Sequence, residues 1–385
     1  MRICLVSETW APEINGVAHT LGHLSREASA RGHRLQLVRP TPAIPAPRSA
    51  DVEAELRVRG VAVPGYPQVR LGLPASRRLT RFWQAQRPEV IYLATQGPLG
   101  WSAQAVARRL AIPCVAGWHT NFDHYCHDYG LPWLSGPVRR RLRTFHNRSQ
   151  ATLVPTRQQA EELTADGFQA VRVMARGIDG ERFSPAHRDP ELRRAWGAGE
   201  HTPVVLHVGR LAPEKNLALL RESCVAIGEA RPDARIVIVG DGPGRKALAA
   251  SLPQAHFTGF IPADELARHY ASADLFLFPS LSETWGNVLL EAMASGLASV
   301  AFRHAAGAEL IEHDHNGLAL AIDDGRGFLG AAVTLCQQPA RRARLGRHAQ
   351  ERALAYGWPA IADTFLATLD HAREIRHGTS RPRPA

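Results

Sequence analysis

Short apolar runs alternate with amphipathic stretches along this chain, and the alternation starts twice. Arg2–Ser7 reads as a strand, a loop runs through Gly16, and a helical pattern extends from Val17 to Arg31. Gly32 and His33 then turn the chain into a second strand, Arg34–Arg39. Val90–Ala94, Cys114–Gly117 and Ala151–Pro155 are further strand candidates separated by helical patterns, which predicts a parallel, doubly wound sheet. The charged, Pro- and Gly-containing run from Asp179 to Thr202 reads as a linker. The alternation restarts at Val204–Val208, Ile236–Gly240, His256–Thr258 and Asp274–Phe278. The pattern therefore predicts an α/β protein with two Rossmann-like domains, residues 1–185 and 200–358, followed by a last helix over 360–376.

The length of 385 residues is enough for each domain to bury its own core. No stretch approaches the roughly 20 apolar residues of a membrane span, and the start of the chain is too short in apolar residues for a signal peptide, so a soluble, cytoplasmic protein is expected. Cys4, Cys114, Cys126, Cys224 and Cys336 are odd in number and lack metal-ligand spacing, which fits reduced, buried thiols. Charge changes the picture more. Residues 1–185 hold 24 Arg, no Lys and 14 acids, so the net +10 lies entirely in the first half. Its densest part is Pro137–Arg148 (PVRRRLRTFHNR), preceded by Trp133; a second group comprises Arg70, Arg77, Arg78 and Arg81. Such a face attracts anionic headgroups, and nucleic acid by the same Coulomb attraction; the ordinary alternative is a solvated helix surface.

Candidate chemistry concentrates after strands. In Pro279–Gly296 (PSLSETWGNVLLEAMASG), Glu283 and Glu291 flank a strand-to-helix turn, where an α/β sheet binds ligand. Asn287 is the expected N-cap of a helix Val288–Ser295, and the N–H groups of Gly286, Asn287 and Val288 favour an anion such as phosphate. The two acids are placed to grip different hydroxyls of one ligand, a shape that a sugar nucleotide has. In His207–Asn216 (HVGRLAPEKN), Lys215 is one of only two lysines against 44 arginines. A planar Arg210 fork and a compact Lys215 charge can clamp a diphosphate from two sides. Asn15 and Gly16 sit between the first strand and its helix, where glycine allows close approach of a ligand. Gly117–Gly130 (GWHTNFDHYCHDYG) follows another strand end; its His124, Cys126, His127 and Asp128 fit no zinc template. Gly240, Gly242 and Gly244 fall one residue short of a dinucleotide fingerprint. Glu309, Glu312, His313, Asp314 and His315 look metal-like but read as a helix end followed by an Asn-Gly turn.

Taken in order, the NGV loop, the HTNF segment, GRLAPEK and SETWGNVLLEAMASG resemble the retaining GT-B glycosyltransferases, in the large family that includes bacterial mannosyl- and glucosyltransferases, sucrose synthase and sulfolipid synthase. The resemblance runs from the NGV loop to Gly317. It implies a GT-B fold, two domains facing across a cleft with the last helix packing back on the first, and transfer of a hexose from a UDP- or GDP-linked sugar to an acceptor hydroxyl without metal or other cofactor. Arg210 and Lys215 are then expected to bind the distal phosphate, Glu283 the sugar and Glu291 the ribose. Gly16, Gly286, Asn287 and Val288 would line the donor, and His119 would stabilise positive charge at the anomeric carbon. Front-face attack is the implied route, beside double displacement. The HTNF and ETWGNVLLEAMASG segments are most similar to the branch that glycosylates lipids, so the expected partners are a nucleotide sugar, a lipid or glycolipid acceptor and an anionic membrane surface, with no nucleic acid. The expected location is the inner face of the plasma membrane. Trp285 stands where phenylalanine is usual. Rival readings are a sugar-nucleotide epimerase of the same fold, a nucleotide-binding regulator and a nucleic-acid binder.

Overall fold

The computed structural model describes residues 1–13, 15–42, 47, 49–63, 66–119 and 135–377. It divides into two compact units, one combining residues 1–176 with the last helix, Trp358–His377, and the other spanning Gly177–Gly357.

The first unit is built on strands β1 (Arg2–Val6), β2 (Arg34–Pro40), β3 (Ala54–Val58), β6 (Val90–Leu93), β7 (Cys114–Gly117), β8 (Ala151–Val154) and β9 (Val171–Val173), with β4 (Gly60–Val63) and β5 (Tyr66–Gly72) forming a separate antiparallel ribbon. The sheet order is β3-β2-β1-β6-β7-β8-β9, all parallel. Strands in such a sheet are covered on both faces, which is why β1, β6 and β7 are continuous rather than alternating apolar runs. The order reverses between β1 and β6, where Ile3 is flanked by Leu35 on one side and Val90 on the other. In an open parallel sheet the ligand crevice lies beyond the carboxyl ends of the strands at such a reversal. Helices Gly16–Ala30, Ser76–Ala85, Pro98–Arg109 and Ser135–Asn147 belong to this unit, with Trp83, Phe145 and Leu99 fully buried among their apolar faces. The last helix packs here too: Phe365 meets Tyr92 edge-on at 4.9 Å, and His23 stacks on Trp358 at 4.4 Å.

The second unit repeats the plan with β10 (Val204–Val208), β11 (Arg235–Val239), β12 (His256–Gly259), β13 (Leu275–Phe278), β14 (Ala298–Phe302) and β15 (Leu318–Leu320) in the order β12-β11-β10-β13-β14-β15. Its reversal falls between β10 and β13, with Val205 between Ile236 and Leu275.

Several sequence expectations need correction. The run 179–202 is not a linker. It carries a short helix, Pro190–Ala195, capped by Asp189, and the buried guanidinium of Arg193 bonds Asp274 Oδ2 at 3.0 Å and the carbonyls of Ser272, Gly199 and Thr202. Asp274, expected within a strand, precedes β13 and instead accepts from the Val204 N–H at 2.8 Å. The first unit ends at Arg176 rather than near Pro185, because Ile178 already bonds Tyr356 and Phe183 packs on Tyr270. Strands β3, β4, β5, β9, β14 and β15 are additional to those read from the sequence.

Candidate active site

In the second unit the residues marked by the sequence gather where the sheet order reverses. After β10 the chain passes Gly209 and the exposed Arg210, makes a single 3-10 turn over Pro213–Lys215, and enters the helix Leu217–Ala230. Leu211 N–H bonds Asp241 O at 2.9 Å and Gly244 N–H bonds Leu211 O at 2.8 Å, so the GDGP turn is a brace for this loop. After β13, Leu281 N–H bonds Glu214 O at 3.1 Å, tying the second loop to the first. Across that seam the Lys215 ammonium pairs with Glu283 Oε1, both side chains largely shielded from water. The phosphate-clamp lysine and the sugar-binding glutamate of the resemblance are therefore direct neighbours.

The helix after β13 spans Asn287–Ala294, and its N-cap is Gly286 rather than Asn287. The physical reason is the sharp turn: Gly286 adopts φ 106°, and a Cβ there would lie 3.0 Å from the Phe278 ring. No side chain caps this helix and its first turn holds no acid, so the N-terminal dipole is left for a ligand. One turn along, Glu291 accepts a 3.0 Å hydrogen bond from the buried Tyr270 hydroxyl. Burial pushes the Glu291 carboxyl up to about 7, opposed in part by that hydrogen bond. Tyr270 gave no sequence signal beyond an apolar helix position. Trp285 is 3% exposed and packs toward Tyr356, with ring centroids 6.2 Å apart, so its extra bulk is taken up inside the domain. The run Glu309–His315 starts in the helix Ala306–Leu310 and continues into a turn: Asn316 bridges Leu310 O and Glu312 N–H, and Asp314 pairs with Arg341 at 2.8 Å.

In the first unit, Asn15 Oδ1 accepts the Ala18 N–H at 2.9 Å and caps the helix that Gly16 begins. His119 follows β7 and is buried. Arg176 Nη2 donates to its Nδ1 at 2.7 Å, and a guanidinium can only donate. The ring proton therefore sits on Nε2, which reaches Tyr92 Oη at 2.8 Å. Burial, then the Arg176 charge, holds the His119 pKa well below its ordinary value, so the ring is neutral with both nitrogens engaged. Gly117 is required beside this pair, since a Cβ would stand 2.1 Å from Tyr92 Oη. The loop after β1 adds Glu8, 6% exposed, whose carboxyl is pushed up to about 7 by burial, opposed in part by the nearby Gly72 and Leu99 backbone. Neither Tyr92, Arg176 nor Glu8 was singled out in the sequence, although an acid directly after an apolar strand is a readable signal. His124, Cys126, His127, Asp128 and Trp133 lie outside the described residues.

With this geometry in view, the comparisons with known proteins are decisive. A family model for glycosyl transferases group 1 matches residues 202–338, and one for glycosyltransferase family 4 matches residues 14–182. A GDP-mannose-dependent alpha-mannosyltransferase of Corynebacterium glutamicum is 32% identical over 95% of this chain and 88% of its own. The chain belongs to glycosyltransferase family 4. This family 4 enzyme is also 30% identical, over 96% of both chains, to a GDP-mannose-dependent alpha-(1-6)-phosphatidylinositol dimannoside mannosyltransferase of Mycobacterium tuberculosis. In fold, the family 4 chain is similar to the Anabaena protein HepE solved in complex with UDP, with a TM-score of 0.76, 19% identity and coverage of 96% of this chain and 100% of that one. The expectation of a glycosyltransferase of GT-B type, built on two Rossmann-like parallel sheets, is met.

Proposed function

We propose that this family 4 glycosyltransferase is a retaining, metal-independent enzyme that moves mannose from GDP-mannose to a hydroxyl of a membrane lipid or glycolipid. The observation that carries the reading is the joined pair of loops after β10 and β13, which sets Lys215 against Glu283 beside a helix start with no side-chain cap. The names of the curated relatives support the GDP-linked sugar and, in one case, the phosphatidylinositol-based acceptor. The UDP complex of a structural neighbour favours, as a second reading, a UDP-linked hexose.

In this mechanism the N–H groups of Asn287 and Val288 and the cations of Arg210 and Lys215 hold the diphosphate. When the bond between the anomeric carbon and the phosphate oxygen breaks, both electrons stay with the phosphate, and these groups meet the charge already oriented. Preorganised donors of this kind are worth about 3 to 4 kcal/mol each. The acceptor oxygen bonds to the anomeric carbon from the face the phosphate leaves, and its proton passes to the departing phosphate. Glu283 accepts from sugar hydroxyls once Lys215 turns to phosphate, and Glu291 accepts from the ribose. His119 acts as a neutral positioning group, since Arg176 and Tyr92 engage both ring nitrogens.

Among the described residues no helix is long and apolar enough to cross a membrane. In this reading the arginines of the first domain hold the protein at the inner membrane face, without nucleic acid as a partner. Incubation with radiolabelled GDP-mannose or UDP-glucose and lipid extract tests the assignment. Label entering the organic phase only with GDP-mannose supports it. Epimerised nucleotide sugar with no lipid product would favour the isomerase alternative.

A further inference from the structure

The arginines that dominate the first domain do not form one equivalent face. Arg139 is paired with Asp166, and Arg143 donates to the Asp166 carbonyl at 2.7 Å, so these two fasten the helix Ser135–Asn147 to its neighbour. Arg141 and Arg148 behave differently. Both lie over the half-buried Trp101 indole, at 4.8 and 5.8 Å from a ring centroid, and neither is in an ion pair among the described residues. Trp101 itself is held against Phe145 at 5.2 Å.

Beside this stack opens a cavity of about 410 Å³ lined by Pro74, Gln96, Pro98, Trp101, Ser102 and Arg141. Three elements meet there: the approach to the helix Ser76–Ala85, the loop and helix after β6, and the helix Ser135–Asn147. Arg77, Arg78 and Arg81 on the first of these are exposed, while Leu79 and Trp83 turn inward. Leu73, next to Pro74, is exposed at 38%. The Arg141 guanidinium lining a cavity with an aromatic wall, with Arg148 over the same indole, suits a phosphate ester, because the planar fork matches two phosphate oxygens and the indole shields one side of the pair from water. An exposed leucine beside basic side chains is an interfacial pattern, and it favours a lipid over a soluble ester.

We propose that Arg141, Arg148 and Trp101 form a subsite for the phosphate-bearing headgroup of a membrane lipid, distinct from the donor-binding residues of the second domain. This deepens the lipid-acceptor reading above and rests on it. The test is co-sedimentation of the full chain with vesicles of phosphatidylglycerol and phosphatidylcholine, against phosphatidylcholine alone. Arg141→Gln/Arg148→Gln should weaken binding to the anionic vesicles by at least ~10-fold, since each basic group near such a surface matters by several-fold. Trp101→Leu should weaken it similarly, whereas Trp101→Phe, which keeps a ring against Phe145, should retain most of it. The charge-matched control Arg326→Gln/Arg347→Gln, on exposed arginines of the second domain, should change binding less than ~3-fold. Equal loss in the control would show diffuse charge attraction and overturn the subsite, as would unchanged binding in the Arg141/Arg148 variant. If only binding of soluble glycerol 1-phosphate is lost, with vesicle binding intact, the lipid assignment is overturned. Transfer to a short soluble acceptor, assayed in parallel, separates this outcome from failure of the enzyme reading, which would abolish transfer in the wild type and leave the vesicle comparison standing.

Discussion

Lys215 and Glu283, 68 positions apart in the chain, pair across the seam between the loops that leave β10 and β13. The contact makes the two charges interdependent. Lys215→Ala should lower turnover by roughly 100-fold or more, removing the proposed phosphate ligand and leaving the Glu283 carboxylate without its partner. Arg210→Ala should fall as far, because it acts on the same departing charge, with the far-UV circular dichroism of both variants unchanged. Steady-state kinetics decide it. Turnover near that of the wild type in either variant would remove that residue from the mechanism.

Arg176 should control the protonation of His119. With Arg176 in place, burial and its positive charge keep the imidazole neutral, so the wild-type rate should show no break from this residue in the ordinary imidazole range. Arg176→Met removes the charge and the donor to Nδ1, and the ring can then take up a proton as the pH falls. Burial still opposes that proton, so the kcat of Arg176→Met should begin to fall at a higher pH than that of the wild type without reaching the ordinary imidazole range, while Arg176→Lys restores the wild-type profile. Superimposable pH profiles for wild type and Arg176→Met would reject this control.

Glu291 supplies a prediction with a definite sign. Its carboxyl titrates near 7 in the folded state, above the ordinary 4.5, so the unfolded chain releases this proton first. The group therefore lowers stability progressively as the pH rises from about 4.5 through 7, and not at all below that window. Glu291→Gln should melt higher relative to wild type at pH 8 than at pH 5, while binding GDP more weakly if it loses the proposed ribose contact. A melting-temperature difference independent of pH would show that Glu291 is not held protonated by burial.

Much of this architecture could be read before any coordinates because buried parallel strands leave an unmistakable apolar signature: RICLV, VIYL, VVLHV and LFLF are the four strands flanking the two sheet reversals. The loops proposed to bind the donor stood out for a different reason, since Lys215 is conspicuous in an arginine-rich chain. What escaped depends on distance in sequence. Arg193 belongs with Asp274, 81 positions away, so a charged stretch that looks like a linker is a packed part of the second domain. Arg176 and Tyr92 lie 57 and 27 residues from the His119 they engage, and nothing local announces either. The arginine cluster misled in another way: charge counting cannot tell Arg139, committed to Asp166, from Arg141, which lies over an indole.

The central claim is retaining, metal-independent transfer driven by the protein's own cations. Purified protein should be incubated with GDP-mannose and a lipid acceptor in excess chelator, and the product's anomeric centre read from its one-bond carbon–proton coupling in the NMR spectrum. Retaining, metal-independent transfer should give an α-mannoside at an undiminished rate, keeping the configuration of the donor. A β-mannoside, or activity that vanishes with chelator and returns with magnesium or manganese, would contradict it.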